Sequence, residues 1–248
     1  MRFIILVIVF LTMVSCDQKA KKQLTIAVAS NMQFVAKEIT KAFTEKSGIE
    51  PRIVVGSSGQ LTAQITEGAP YDVFISADMK YPIKLYERGF LASQPAIYAK
   101  GKLVLWSMKV PKPSMDLLTN SDIQHIAIAN PELAPYGSAA IEALQHFELL
   151  AQVEPKLVYG ESISQTNQFI LSGAADIGFT AMSVVLADEM KSMGNWAEID
   201  PNIYEPINQG AVIINHRDEK RYEAIEFYDF LFSDSAKEIL NKFGYIVE

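Results

Sequence analysis

Short apolar runs recur along the chain, each closed by a turn of small polar residues and followed by a helically spaced stretch. The run at 24 to 29 ends at Ser30-Asn31, and Val35, Ile39, Ala42 and Phe43 then keep one helical face up to Gly48. The run at 53 to 55 stops at Gly56-Ser57-Ser58-Gly59, after which Leu61 and Ile65 carry a helix to Gly68. Residues 71 to 78 read as a buried strand closed by another small-residue turn, and 81 to 89 as a short helix. A strand is expected at 103 to 106, and an irregular or helical connection at 114 to 120, beyond the breakers Pro111 and Pro113. The device then begins again. A strand at 126 to 129 is followed by turns at Asn130-Pro131 and at 135 to 138, and by a helix over 139 to 150 with Ile141, Leu144 and Phe147 inward. A strand at 157 to 159 turns at Gly160-Glu161-Ser162 into a helix over 163 to 171, and a strand at 176 to 180 leads to a helix over 183 to 190. A strand at 209 to 214 and amphipathic helices at 222 to 232 and 235 to 243 complete the pattern.

Strands alternating with helices predict an α/β fold with mostly parallel sheets flanked by helices. The pattern runs twice, over 24 to 80 and 126 to 182, without a fixed-period repeat, which gives two similar halves rather than a solenoid. Ligands of such sheets sit at the carboxyl ends of the strands. At the junctions around Ser30-Asn31 and Ser57-Ser58, serine hydroxyls and the first free N–H groups of the next helix point out of the sheet together. That combination holds an anion without any full positive charge. Taken singly, each of these residues also has a purely local reading as a helix cap. Asp72 and Asp78 read as strand-end and turn residues.

The amino terminus changes the picture of where the chain works. Arg2 precedes an apolar core from 3 to 14, and Met13-Val14-Ser15-Cys16 resembles a lipobox, with methionine where leucine is more usual. Residues 1 to 15 are therefore expected to be a cleaved export signal, Cys16 the lipidated first residue, and 16 to 23 a polar tether to the membrane. Cys16 is the single cysteine, so no internal disulfide supports the fold and stability rests on burial in a 248-residue chain. The net charge is −7, with no basic stripe, which argues against a nucleic-acid partner. His125, His146 and His216 are scattered without metal-ligand spacing, and Gly56-Ser57-Ser58-Gly59 is not a nucleophile elbow, so neither a metal site nor a serine hydrolase is expected.

Five segments together resemble the molybdate-binding proteins of bacterial ABC transporters: Ala-Ser-Asn at 29 to 31, Gly-Ser-Ser-Gly-Gln-Leu at 56 to 61, Glu-Gly-Ala-Pro-Tyr-Asp-Val-Phe-Ile-Ser-Ala-Asp at 67 to 78, Asn-Pro-Glu-Leu-Ala-Pro-Tyr-Gly at 130 to 137 and Phe-Tyr-Asp-Phe-Leu at 227 to 231. The likeness runs from about residue 24 to the end. It implies the type II periplasmic-binding-protein fold, in which two α/β lobes close on a ligand in the cleft between them. It also implies lobes of residues 24 to 102 with 208 to 248, and of 103 to 207, joined by strands near Leu103 and Gly210. The oxyanion-binding residues it implies are Ser30, Asn31, Ser58 with Ser57 before it, Tyr136, and Ile163 through its backbone N–H. Some members add a tyrosine where this chain has Ala181, and others use the tyrosine of the earlier turn, here Tyr136.

The resemblance implies a monomeric, exported binding protein that performs no chemistry, needs no cofactor, and passes molybdate, and by size tungstate, to an ABC permease. Molybdenum enters only as the bound oxyanion. No lysine or arginine lies in the donor turns, so selection rests on cavity size and donor geometry. A cage of donors alone also disfavours hydrogen phosphate, whose O–H lacks an acceptor. The rival readings are the same fold binding sulfate or phosphate, and a ligand-sensing module that docks a membrane receptor.

Overall fold

The computed structural model describes residues 23–215 and 221–247. The segment expected to be an export signal, Cys16 and most of the expected tether lie outside the described residues. The chain opens with β1 (Thr25–Ala29), a single 3-10 turn at Ser30–Met32, α1 (Gln33–Ser47), β2 (Arg52–Gly56), α2 (Ser58–Thr66), β3 (Val73–Ser76), α3 (Lys80–Glu87) and β4 (Ala96–Gly101). It continues through β5 (Leu103–Ser107), β6 (Ile126–Ala129), α4 (Pro135–His146), α5 (Leu150–Val153), β7 (Leu157–Gly160), α6 (Ile163–Leu171), β8 (Ile177–Ala181), α7 (Met182–Val185) and β9 (Asn195–Glu198). It closes with β10 (Ile207–Ile213), α8 (Arg221–Leu231) and α9 (Asp234–Lys242).

Two five-stranded sheets result, ordered β2-β1-β3-β10-β4 and β7-β6-β8-β5-β9. In each, the first three strands are parallel, and the remaining two pair antiparallel. The sheets answer each other strand for strand. β5 follows β4 across Lys102 alone, so the chain leaves the edge of the first sheet and enters the interior of the second; β9 returns it to β10 in the interior of the first.

Because helices cover both faces, β1, β3, β6 and β8 are buried at every position, which is why they read as continuous apolar runs. Phe43 of α1 meets Phe227 of α8 edge-to-face at 5.1 Å, tying the last helices to the first sheet. Asp72 is a strand-end residue with a structural duty: its buried carboxylate accepts the Thr25 N–H at 2.7 Å.

Four features differ from the expected pattern. β4 and β9 were not foreseen; both are edge strands, and the Asn-Trp-Ala-Glu of β9 is largely exposed and carries no apolar run. α4 begins at Pro135, since proline fits the first helical position, so residues 135 to 138 are its first turn rather than a turn before it. The helix therefore ends at His146, and Phe147, expected inward, is 45% exposed. The helix expected over 183 to 190 closes after Val185, where the N–H groups of Ala187, Met190 and Met193 turn to carbonyls three residues back.

Candidate functional site

The carboxyl ends of β1 and β2 in one sheet and of β6 and β7 in the other face a common cleft, and each leads directly into a helical segment. Ser30 and Asn31 open the segment after β1; both are buried, and neither side chain caps the helix. The Asn31 amide is fixed by a chain of bonds. Gln209 of β10 donates its Nε2 to the carbonyls of Ala77 and Ile207, so its Oε1 faces Asn31 and accepts from Asn31 Nδ2 at 2.8 Å. The second Nδ2 proton goes to the Tyr245 hydroxyl at 2.7 Å. Burial raises the Tyr245 phenol to about 12, so it stays protonated at neutral pH.

After β2, capping duty falls on Ser57. Its hydroxyl accepts the Gln60 N–H while the Gln60 side chain accepts the Ser57 N–H, a reciprocal capping box. Ser58 is thereby released from capping. Its hydroxyl accepts the Ala77 N–H at 2.9 Å, which occupies a lone pair and leaves the O–H proton to be donated elsewhere. In the second half, Tyr136 and Ile163 occupy the first turns of α4 and α6, where the N–H groups have no acceptor within their own helix. Ser162 caps α6 through Gln165, so the Ile163 N–H is not consumed by the cap.

Hydrogen bonds bring the two halves together across the cleft. Gly59 N–H donates to the Leu133 carbonyl at 2.9 Å, and the Tyr81 hydroxyl to the Glu132 carbonyl at 2.6 Å. The Ser164 hydroxyl donates to Gln33 at 2.6 Å, Gln60 Nε2 to Glu161 at 3.0 Å, and the Ser183 hydroxyl to the Asn31 carbonyl at 2.8 Å. The turns bearing Ser30, Asn31, Ser58, Tyr136 and Ile163 are thus held against one another. Tyr136 is buried, and its hydroxyl sits beside the chain at Gly101 rather than on the surface. Ala181, at the carboxyl end of β8, is fully buried and contributes no side-chain donor.

Four helix starts with no lysine or arginine in their turns make a site of partial positive charge and neutral donors. Such a site can take an anion out of water through N–H and O–H bonds worth about 1.5–3 kcal/mol each. Replacing Ser58 by alanine removes one such donor and also orphans the Ala77 N–H. The expected outcome is an affinity lower by about 10- to 100-fold in an anion titration, with the fold retained.

Sequence reasoning missed Gln209, Tyr245 and Ser183, which orient Asn31. Gln209 carried a signal, as a polar residue just before the apolar run Ala211-Val212-Ile213 of β10. Tyr245 and Ser183 carried none, because only the fold brings them to Asn31, 214 and 152 residues away in the chain.

Residues 24–246 match the family model of the bacterial extracellular solute-binding proteins. The molybdate-binding protein ModA of Rhodobacter capsulatus is 42% identical over 92% of this chain and 90% of its own. The ModA of Azotobacter vinelandii is 37% identical over 94% and 93%. Among solved structures, the periplasmic molybdate-binding protein of Azotobacter vinelandii superposes with a TM-score of 0.86 at 35% identity, covering 91% of this chain and all of that one.

Proposed function

The chain belongs to the bacterial extracellular solute-binding proteins, and from that premise we propose that it captures molybdate outside the cytoplasm and delivers it to an ABC permease. It is a binding protein and not an enzyme, and it uses no cofactor, in keeping with its relatives. The observation that carries the reading is the meeting of four helix starts, two from each half, around one cleft with no full positive charge among their donors. We assign the anion to the Ser30 and Ser58 hydroxyls and to N–H groups at Asn31, Ser58, Tyr136 and Ile163. A tetrahedral dianion has four oxygens and no proton to donate, which this set matches.

Residues 24 to 102 with 208 to 248 form one lobe in this reading, and 103 to 207 the other. Binding stabilises the closed arrangement because only a ligand touching both lobes discriminates it from the open one. Tungstate, of similar size and charge, is accepted by the same cage. Acylated Cys16 and the polar residues up to 23 tether a monomer to the membrane beside its permease.

Calorimetric titration of the chain from Asp17 onward with molybdate, tungstate, sulfate and phosphate tests this directly. One-to-one binding of the first two, with sulfate and phosphate at least about 100-fold weaker, is the expected result. Sulfate or phosphate binding as tightly as molybdate would remove molybdate as the ligand.

A further inference from the structure

Gly101 stands where the chain leaves the first sheet, with only Lys102 between it and β5. A side chain there has no room. A Cβ built on Gly101 falls 2.1 Å from the Tyr136 hydroxyl, 3.1 Å from Cζ of the same ring and 3.0 Å from Gln209 Nε2. The Tyr136 ring cannot easily give way, since the residue is 2% exposed and its backbone is fixed in the first turn of α4. Gly101 has no left-handed φ that would demand glycine for conformational reasons. The absence of a side chain therefore serves packing, and specifically packing against a residue that belongs to the other lobe.

The Tyr136 hydroxyl is buried in this place beside the Tyr245 hydroxyl, and burial raises its phenol well above the usual range. The contact is also at the pivot. Gly101 ends β4 at one of the two passages between the sheets and Tyr136 starts α4 in the other half, so in the closing-lobe reading a rotation of that half changes the distance between them.

We propose that Gly101 is a positioning residue for ligand capture: its bare Cα is the recess that receives the Tyr136 hydroxyl when the lobes close. A side chain at 101 holds the lobes apart and keeps the α4 and α6 donors away from those of Ser30 and Ser58. The proposal rests on the closing-lobe reading above, and the same glycine would be needed whichever oxyanion is bound.

The test is a double-mutant cycle of Gly101→Ala and Tyr136→Phe, read by molybdate calorimetry and by small-angle scattering with and without saturating molybdate. Gly101→Ala is expected to weaken binding by at least about 30-fold and to abolish the ligand-induced contraction, because its closest clash, with Tyr136, penalises the closed state. The same substitution made on Tyr136→Phe is expected to cost less than about 5-fold relative to Tyr136→Phe alone, since the 2.1 Å contact is gone and the 3.1 Å contact to Cζ yields with a small shift. Thermal melting without ligand is expected to fall by no more than about 4 °C in Gly101→Ala, the residual cost being the 3.0 Å contact with Gln209 Nε2, which belongs to the same lobe and does not depend on closure.

An equal penalty in both backgrounds, wild-type affinity in Gly101→Ala, or a large loss of ligand-free stability that Tyr136→Phe leaves in place would each overturn the proposal. If wild-type protein neither binds molybdate nor contracts, the functional reading fails and this inference falls with it. If wild type does both and Gly101→Ala does so equally well, the inference alone fails.

Discussion

Replacing Asn31 by aspartate is expected to abolish measurable molybdate binding while the protein still folds. The substitution conserves shape but inverts the bonding at a residue only 1% exposed. Asn31 Nδ2 now donates to Gln209 Oε1 and Tyr245; a carboxylate oxygen in its place would face the Gln209 oxygen at 2.8 Å, and Gln209 cannot turn without losing Ala77 and Ile207. The new charge is buried, short of a donor, and next to the seat of an incoming dianion. Leaving a buried charge uncompensated costs about 3–5 kcal/mol, equivalent to about two to four orders of magnitude in affinity if it is felt on binding.

The sign with pH follows from burial. The introduced carboxyl has a folded-state pKa above its unfolded value of about 3.9, so the variant is less stable than wild type at pH 7 and the deficit shrinks as pH falls toward 4. Calorimetry at neutral pH and thermal melting between pH 4 and 8 would check both parts. Wild-type affinity in this variant would remove Asn31 from the site.

Gly137→Ala is expected to damage both stability and binding. Its Cβ would fall 2.1 Å from the Ala129 carbonyl oxygen, 2.8 Å from the carbon of that carbonyl and 2.9 Å from the Pro131 nitrogen, all backbone atoms that no rotamer change can move. Overpacking of this kind costs about 1–3 kcal/mol and sometimes more, and here it must be relieved by lifting the start of α4 off the end of β6. That shift carries away the Tyr136 N–H and the Leu133 carbonyl that holds Gly59 across the cleft. The expected result is a melting temperature several degrees lower together with loss of binding. An unchanged melting curve would show that the α4 start has slack that the close approach to Ala129 denies.

The parallel half of each sheet was legible from its apolar runs and from turns rich in serine, glycine and asparagine, although β2 and β7 are partly exposed edge strands. β1, β3, β6 and β8 needed nothing more than that apolar continuity. β4 and β9 were not legible, since neither carries an apolar run closed by a small-residue turn and helix, and each owes its place to the neighbour it pairs with. Phe147 was misjudged by extending helical spacing past the point where the chain turns away. Within the site, the contrast between Ser57 and Ser58 could not be read from two adjacent serines. It depends on which hydroxyl reaches Gln60 and which reaches Ala77, and the latter lies on a different strand end. Likewise the sequence does not show that both Nδ2 protons of Asn31 are taken by Gln209 and Tyr245.

The Gly59–Leu133 bond has a consequence for watching the protein at work. It joins backbone to backbone across the cleft, so the Gly59 amide proton is shielded only while the halves remain together. Amides in the middle of β1, by contrast, lie between β2 and β3 and lose protection only when the sheet itself comes apart. Deuterium uptake at these two places therefore reads two different clocks. One measures how long a captured anion stays enclosed, and the other measures how long the protein stays folded.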